Sequence, residues 1–266
     1  VRLVVLGDPV AHSLSPLLHT VALAATGITG EYTARRVDHI GLGDAVAEIR
    51  TGALSGANVT MPHKEAAAGL CDRLAGPAVR IGAVNTLVKV GGEVVGHTTD
   101  VDGVRLAWTW AGLPDDAPVL LLGAGGAAAA ACVALAGRVV MVSTRRPEAA
   151  DALVDRIGDG VSAVPWGTGV AGAVVVNATP LGMHGEPLPV AVLADAAGLL
   201  DMAYGTRTTP AAAAVSGRGL PVADGPTMLL GQAVESFRLW TGRVAPVAAM
   251  RAALDAELAR RSGAAA

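Results

Sequence analysis

The sequence predicts an α/β fold in two domains, and three observations carry that prediction. The chain has 266 residues, 52% hydrophobic and only 16% charged, which is material for a substantial core without disordered stretches. Short apolar runs alternate with helix-patterned stretches through the first sixty residues, a β-α-β-α-β rhythm that implies a mostly parallel sheet. At residues 114–118 the composition changes, and a fully apolar run then leads into glycines and a small-residue helix, a second α/β beginning.

Residues 2–6 read as a buried strand. The loop after it carries Ser13 and Ser15, just ahead of a helix that Pro16 opens. Two hydroxyls in front of free helix N–H groups suit a carboxylate or phosphate, the plainer reading being an N-cap by one serine. The helix covers residues 17–26 and ends near Gly27. A second strand follows at 31–37, a second helix at 42–50 and a third strand at 56–59. That strand runs into Asn58-Val59-Thr60-Met61-Pro62-His63-Lys64. Pro62 stops it, because proline offers no N–H to a ladder and suits the first turn of a helix. Asn58, Thr60 and Lys64 are thereby gathered where a strand gives way to a helix, the end of an open α/β sheet at which ligands bind. A lysine there can be partly desolvated and used for proton transfer. The alternative is a solvated lysine on a helix at residues 64–74.

Asn85 stands alone in the apolar segment Gly82-Ala83-Val84-Asn85-Thr86, so its amide needs partners if buried, either backbone groups or a substrate hydroxyl. Residues 86–90 and 93–97 form a hairpin across Gly91-Gly92. Asp100 then either caps the next helix, at 104–111, or faces Lys64, where a carboxylate would stabilise and orient the ammonium.

The second domain opens with a buried strand at residues 119–122 and Gly123-Ala124-Gly125-Gly126-Ala127-Ala128, which resembles a dinucleotide fingerprint with Ala128 in the third glycine's place. Small residues there let the backbone approach a pyrophosphate, in a Rossmann-type domain. The strand at 138–143 ends in Ser143-Thr144-Arg145-Arg146. An acid at that point would bind the ribose 2′-hydroxyl of NAD; two arginines fit the 2′-phosphate of NADP instead. The plainer reading is exposed loop charges. A helix follows at 149–157, then a strand at 173–176 ending in Asn177-Ala178-Thr179, and a strand at 198–202 followed by Tyr204. A helix at 209–216 and a strand at 221–223 lead to the long helix after Gly225, which carries Met228, Leu229, Gln232, Phe237 and Trp240. Gln232 is either a solvated position or reaches back toward a ligand. A terminal helix covers 247–260.

The net charge of −3 and the 3% aromatic content, with one Phe, argue against nucleic acid as a partner. The uncharged run at 119–137 is not a membrane span, because Gly123, Gly125 and Gly126 interrupt it. The start is too short for a signal peptide, and Cys71 and Cys132 read as buried free thiols without a disulfide or metal site, which fits the cytoplasm.

Taken together and in order, Ser13-Leu14-Ser15-Pro16, the 58–64 stretch, Gly82-Ala83-Val84-Asn85-Thr86, Thr99-Asp100, Gly123-Ala124-Gly125-Gly126-Ala127, Asn177-Ala178-Thr179, and Asp224-Gly225 with Met228-Leu229 and Gln232 resemble the shikimate dehydrogenase family nearly end to end. The resemblance implies NADPH-dependent, reversible reduction of 3-dehydroshikimate to shikimate on the route to chorismate and the aromatic amino acids. It implies that Lys64 is the general acid/base paired with Asp100. Ser13 and Ser15 would hold the substrate carboxylate. Asn58, Thr60, Asn85, Asp100 and Gln232, with Tyr204 nearby, would bind the ring hydroxyls. Gly123, Ala124, Gly125, Gly126 and Ala127 would hold the pyrophosphate, Thr144, Arg145 and Arg146 the 2′-phosphate, and Met202 and Gly225 would border the nicotinamide. No metal is implied. The C-terminal helices would return to the first domain, giving a substrate domain of residues 1–103 and 226–266 and an NADP domain of 104–225. The family's usual second arginine a few residues beyond the first is absent, with Arg146 as its substitute. The competing readings are a quinate or aminoshikimate dehydrogenase, and a non-catalytic NADP-binding regulator, against which the presence of Lys64 and Asp100 argues. The assembly is left open, with a homodimer as one option.

Overall fold

The computed structural model describes residues 1–158, 160–205 and 207–263. The chain divides into two compact units: Val1–Asp100 with Gln232–Ala259, and Val101–Gly231 with the chain end from Arg260.

In the first unit, β1 (Arg2–Gly7), β2 (Glu31–Arg36), β3 (Gly56–Val59), β4 (Arg73–Leu74), β5 (Thr86–Val90) and β6 (Glu93–His97) form one sheet ordered β2-β1-β3-β5-β6-β4. β1 pairs in parallel with β2 and β3. Beyond β3 the ladder turns antiparallel, through β5 and β6, with β4 parallel to β6 at the edge. The sheet is therefore mixed rather than mostly parallel. The cause is local: Gly91, at φ +62°, helps reverse the chain in a tight hairpin, and only antiparallel strands can be joined that way. Successive residues of β1 feed opposite faces. Val4 and Leu6 pack with Leu42, Ile49, Leu54 and Leu87, whereas Leu3 and Val5 pack with Tyr32 and Trp240.

The helices of this unit are α1 (Ser15–Ala25), α2 (His39–Thr51), α3 (Lys64–Leu70), α4 (Ala78–Ile81) and the first residue of α5 (Asp100–Ala111). Asp38 caps α2 by accepting from the Ile40 and Gly41 N–H groups. α3 departs from expectation at both ends. Pro62 lies in the turn before it, and His63 is its N-cap. It stops at Leu70 because Asp72 bonds both backbone groups of Val94, drawing Arg73 and Leu74 into the sheet as β4. The one-turn helix α4 lacked a sequence pattern long enough to predict it.

In the second unit, β7 (Val119–Leu122), β8 (Val140–Ser143), β9 (Val161–Val164), β10 (Val174–Asn177), β11 (Gly198–Asp201) and β12 (Val222–Ala223) form a wholly parallel sheet ordered β12-β11-β10-β7-β8-β9. This is a doubly wound arrangement whose order reverses between β7 and β10. Both strands at that point are buried along their whole length, which explains their unbroken apolar sequences. β9 is a half-exposed edge strand, so its sequence carries no apolar run. The helices of this unit are α5 from Val101 on, α6 (Gly126–Ala134), α7 (Pro147–Ile157), α8 (Val190–Ala194), α9 (Pro210–Ser216) and the start of α10 (Gly225–Thr241), while α11 (Val247–Gly263) belongs to the first unit as far as Ala259. The unit boundary falls inside α5 and α10, so Gln232 and the rest of α10 belong to the first unit. No described helix is long and apolar enough to cross a membrane.

His19, on α1, stacks on Tyr32 with ring centroids 4.4 Å apart and meets Trp240 edge-on at 5.1 Å. It is 1% exposed, and neither ring nitrogen has a hydrogen-bond partner among the described residues. Burial pushes its pKa down to about 3, from an ordinary value near 6.5. A group whose pKa is lowered by folding contributes stability that is complete above its unfolded value and is lost as pH falls toward the folded one. His19→Phe keeps the stacking and removes the titration. Denaturant unfolding should show the wild type losing stability relative to this variant by up to ~1.4 kcal/mol per pH unit between pH 6.5 and about 3. Parallel stability curves would show that His19 does not titrate in this way.

Candidate active site

β1 and β3 lie side by side in parallel, so the loops after Gly7 and Val59 leave the sheet at the same edge. The Asp8 N–H donates to the Met61 carbonyl at 3.1 Å, joining the two loops. A Cβ on Gly7 would lie 2.3 Å from Thr60 Cγ2, so only glycine allows this approach. Lys64 opens α3, Asp100 opens α5, and their side chains meet at 2.6 Å between Nζ and Oδ2. The Asp100 side chain is 3% exposed and that of Lys64 is 23% exposed, so the carboxylate is enclosed while the ammonium keeps access to a ligand. The other carboxylate oxygen, Oδ1, accepts from Asn85 Nδ2 at 3.0 Å and Gln232 Nε2 at 2.5 Å. Three N–H donors thus converge on an acceptor-only group.

The orientation of Asn85 follows from its neighbours. Its Oδ1 accepts from the Thr99 backbone N–H at 2.8 Å, a donor that cannot reverse, so Nδ2 must face Asp100. The open question of what satisfies Asn85 is answered inside its own unit. Behind it, the hydroxyls of Thr86, Thr99 and Ser236 lie 3.0 to 3.4 Å from one another. Asn58 Nδ2 donates toward the Asn85 carbonyl, Thr86 and Ser236 at 3.0 to 3.1 Å, and Asn58 Oδ1 accepts from the Tyr32 hydroxyl at 2.6 Å. Gln232 is accordingly a bonded position and not a solvated one.

Sequence reasoning assigned no role to Tyr32, Thr86, Thr99 or Ser236. Ser236 carried a signal: it follows Gln232 by one helical turn and so shares its face. Tyr32 carried a weaker one, as the one buried residue of an otherwise half-buried or exposed edge strand.

Ser13, Ser15 and Thr60 stand at the same sheet edge but share no hydrogen bond with the Lys64 network among the described residues. The Ser13 hydroxyl accepts from the Ser15 N–H at 3.2 Å, and α1 has no side-chain cap at Leu14. Thr60 is held by its backbone N–H, which donates to Leu6 O at 2.9 Å.

In the second unit, Gly123 has φ +108°, and a Cβ there would lie 3.0 Å from the Ala178 carbonyl oxygen. This backbone needs glycine for both reasons. Gly125 is the N-cap of α6 and provides no side-chain acceptor, and a Cβ added to it would meet nothing within 4 Å. Ala124, Gly126 and Ala127 are small and half-buried, so no bulky side chain of this loop would hinder a pyrophosphate approaching the first-turn N–H groups of α6. Ala128, Ala129, Ala130 and Ala131 are fully buried and bring α6 close to the sheet.

At the end of β8, Thr144 is half-buried while Arg145 and Arg146 are exposed, and neither arginine has an ion pair among the described residues. A 2′-phosphate fits two uncommitted cations at this point of a doubly wound sheet. The residues present therefore fit NADP. At the end of β11, the Met202 N–H donates to Asn177 O at 3.0 Å. Tyr204 packs on Gly225, where a Cβ would lie 2.9 Å from Tyr204 Cβ. Burial pushes the Tyr204 hydroxyl pKa up. Asp224 caps α10 through the Thr227 N–H at 2.9 Å.

The shikimate dehydrogenase substrate binding domain matches residues 5–87, and the shikimate 5′-dehydrogenase C-terminal domain matches residues 225–254. An NADP(+) shikimate dehydrogenase of Thermus thermophilus is 40% identical over 246 residues, covering 91% of this chain and 92% of the relative. That of Acidiphilium cryptum is 43% identical over 253 residues, covering 91% of each. Among solved structures, a shikimate 5-dehydrogenase from Thermus thermophilus, in complex with NADP(H) and shikimate, superposes with a TM-score of 0.89. It is 38% identical, over 96% of this chain and 98% of that one. Identity of this extent over nearly the whole chain, on a fold with one mixed-sheet unit and one doubly wound unit, places the chain in the shikimate dehydrogenase family.

Proposed function

We propose that this chain reduces 3-dehydroshikimate to shikimate reversibly, with NADPH as the reductant. The single observation that supports the chemistry best is the Lys64–Asp100 pair at 2.6 Å, with the lysine partly open and the carboxylate enclosed. NADPH, when bound, supplies the hydride. Lys64 gives a proton to the oxygen of the reacting carbonyl, and takes it back in the reverse direction. An ammonium beside that oxygen also stabilises the negative charge that develops on it. Asp100 holds the ammonium in place and, with Asn85 and Gln232 fixed around it, presents polar groups to ring hydroxyls. Asn58 and Thr60 line the same sheet edge for the same purpose. Ser13 and Ser15, at the start of α1, receive the substrate carboxylate. In the second unit, the 123–127 loop holds the pyrophosphate. Thr144, Arg145 and Arg146 take the 2′-phosphate, Met202 and Gly225 border the nicotinamide, and Tyr204 serves the substrate. Neither Cys71 nor Cys132 is in a disulfide, which suits the reducing cytoplasm.

Lys64→Ala should lower kcat roughly 10²–10⁴-fold while shikimate still binds, as steady-state kinetics and calorimetry would show. Near-normal turnover would remove Lys64 from proton transfer. Arg145→Ala should raise the KM for NADPH about tenfold, with little change in the use of NADH, because a charged hydrogen bond to the 2′-phosphate is lost. An equal loss with both cofactors would place Arg145 elsewhere.

A further inference from the structure

Asp201 is the buried acid of the second unit for which the proposed chemistry has no use. It ends β11 and is 1% exposed. Its Oδ1 accepts from Asn177 Nδ2 at 2.8 Å and from the Ala203 N–H at 3.1 Å, and its Oδ2 accepts from the Thr209 hydroxyl at 2.5 Å. No cation is bonded to it among the described residues. Burial raises its pKa, and the neighbouring Asp224 adds to the rise.

Each of the three donors stands at the root of a different segment. Asn177 ends β10, and its own Oδ1 accepts from both the N–H and the hydroxyl of Thr179, at 3.1 and 2.6 Å. Its Nδ2 also donates to the Leu181 carbonyl. Asn177 therefore shapes the loop after β10, and the Ala178 carbonyl of that loop is the group against which Gly123 is packed. Ala203 lies between Met202 and Tyr204, and Thr209 caps α9 by accepting from the Ala212 N–H. In a doubly wound sheet the two halves bind the two halves of a dinucleotide. The arginines at the end of β8 mark the adenosine side, so β10, β11 and β12 form the nicotinamide side.

We propose that Asp201 is a positioning residue for the nicotinamide half of the cofactor, holding the 178–181 and 202–204 segments in one arrangement. This rests on the nucleotide reading above. An apolar side chain at 201 leaves three buried donors without their acceptor, and both segments are free to rearrange. An amide does not. Its oxygen serves Asn177 and Ala203, and its nitrogen can donate to the Thr209 oxygen.

The test is calorimetric binding of NADP and of 2′,5′-ADP, which carries only the adenosine side. The wild type should bind both; failure to bind either would refute the nucleotide reading itself. Asp201→Leu should bind NADP roughly tenfold more weakly and 2′,5′-ADP within about twofold of wild type, with Asp201→Asn close to wild type for both. If Asp201→Leu does not fold, Asn177→Ala, which removes one of the links, should show the same split in weaker form. Equal loss of both ligands, or lowered thermal stability with unchanged NADP affinity, would overturn the proposal and leave Asp201 a purely structural residue.

Discussion

The Asp100 carboxylate is the constraint on which the first unit's site depends. It is enclosed, and a buried charge must be paired and fully hydrogen-bonded to be tolerated. Its partners come from three separate places: Lys64 from α3, Asn85 from the segment before β5, and Gln232 from α10. Each is in turn fixed by something the sheet supplies. Asn85 cannot turn over because the Thr99 N–H occupies its oxygen. Gln232 comes within reach because Ser236, one turn on, is bound to Asn58, Thr86 and Thr99. The polar layer is therefore one connected network, in which removing a member strands its neighbours.

The second unit solves a different problem with the opposite means. Where the first unit accumulates polar side chains, the 123–128 loop removes side chains altogether. Gly123 passes against the Ala178 carbonyl, Gly125 caps α6 without offering an acceptor, and the alanines behind them bring the helix onto the sheet. The anion site of backbone N–H groups proposed for this loop would require little else. Behind it, the Asn177–Asp201 contact ties together the ends of β10 and β11.

Much of this was legible in the sequence. The parallel strands β1, β7, β8 and β10 announce themselves as short apolar runs ended by polar clusters, and the hairpin across Gly91-Gly92 by its turn residues, whereas the edge strands β4 and β9 carry no such run. The antiparallel half of the first sheet follows from that same hairpin, yet the β-α-β rhythm before it pointed to a mostly parallel sheet. The early stop of α3 was not legible, because it depends on Asp72 meeting Val94, 22 residues away. Lys64 and Asp100 could be named from their positions at element starts, but not their 2.6 Å approach across 36 residues. Ser236 and Asp201 were overlooked for a related reason. Each lies on or beside an apolar face and gains its meaning only from partners far along the chain.

The central claim is the reaction itself, and absorbance at the nicotinamide band tests it most directly. Purified protein would be mixed with shikimate, once with NADP and once with NAD. The account predicts rapid reduction of NADP and little reduction of NAD. Absence of reduction with shikimate and either nucleotide would contradict it, and activity with quinate or an aminoshikimate instead would move the chain to a different specificity on the same scaffold.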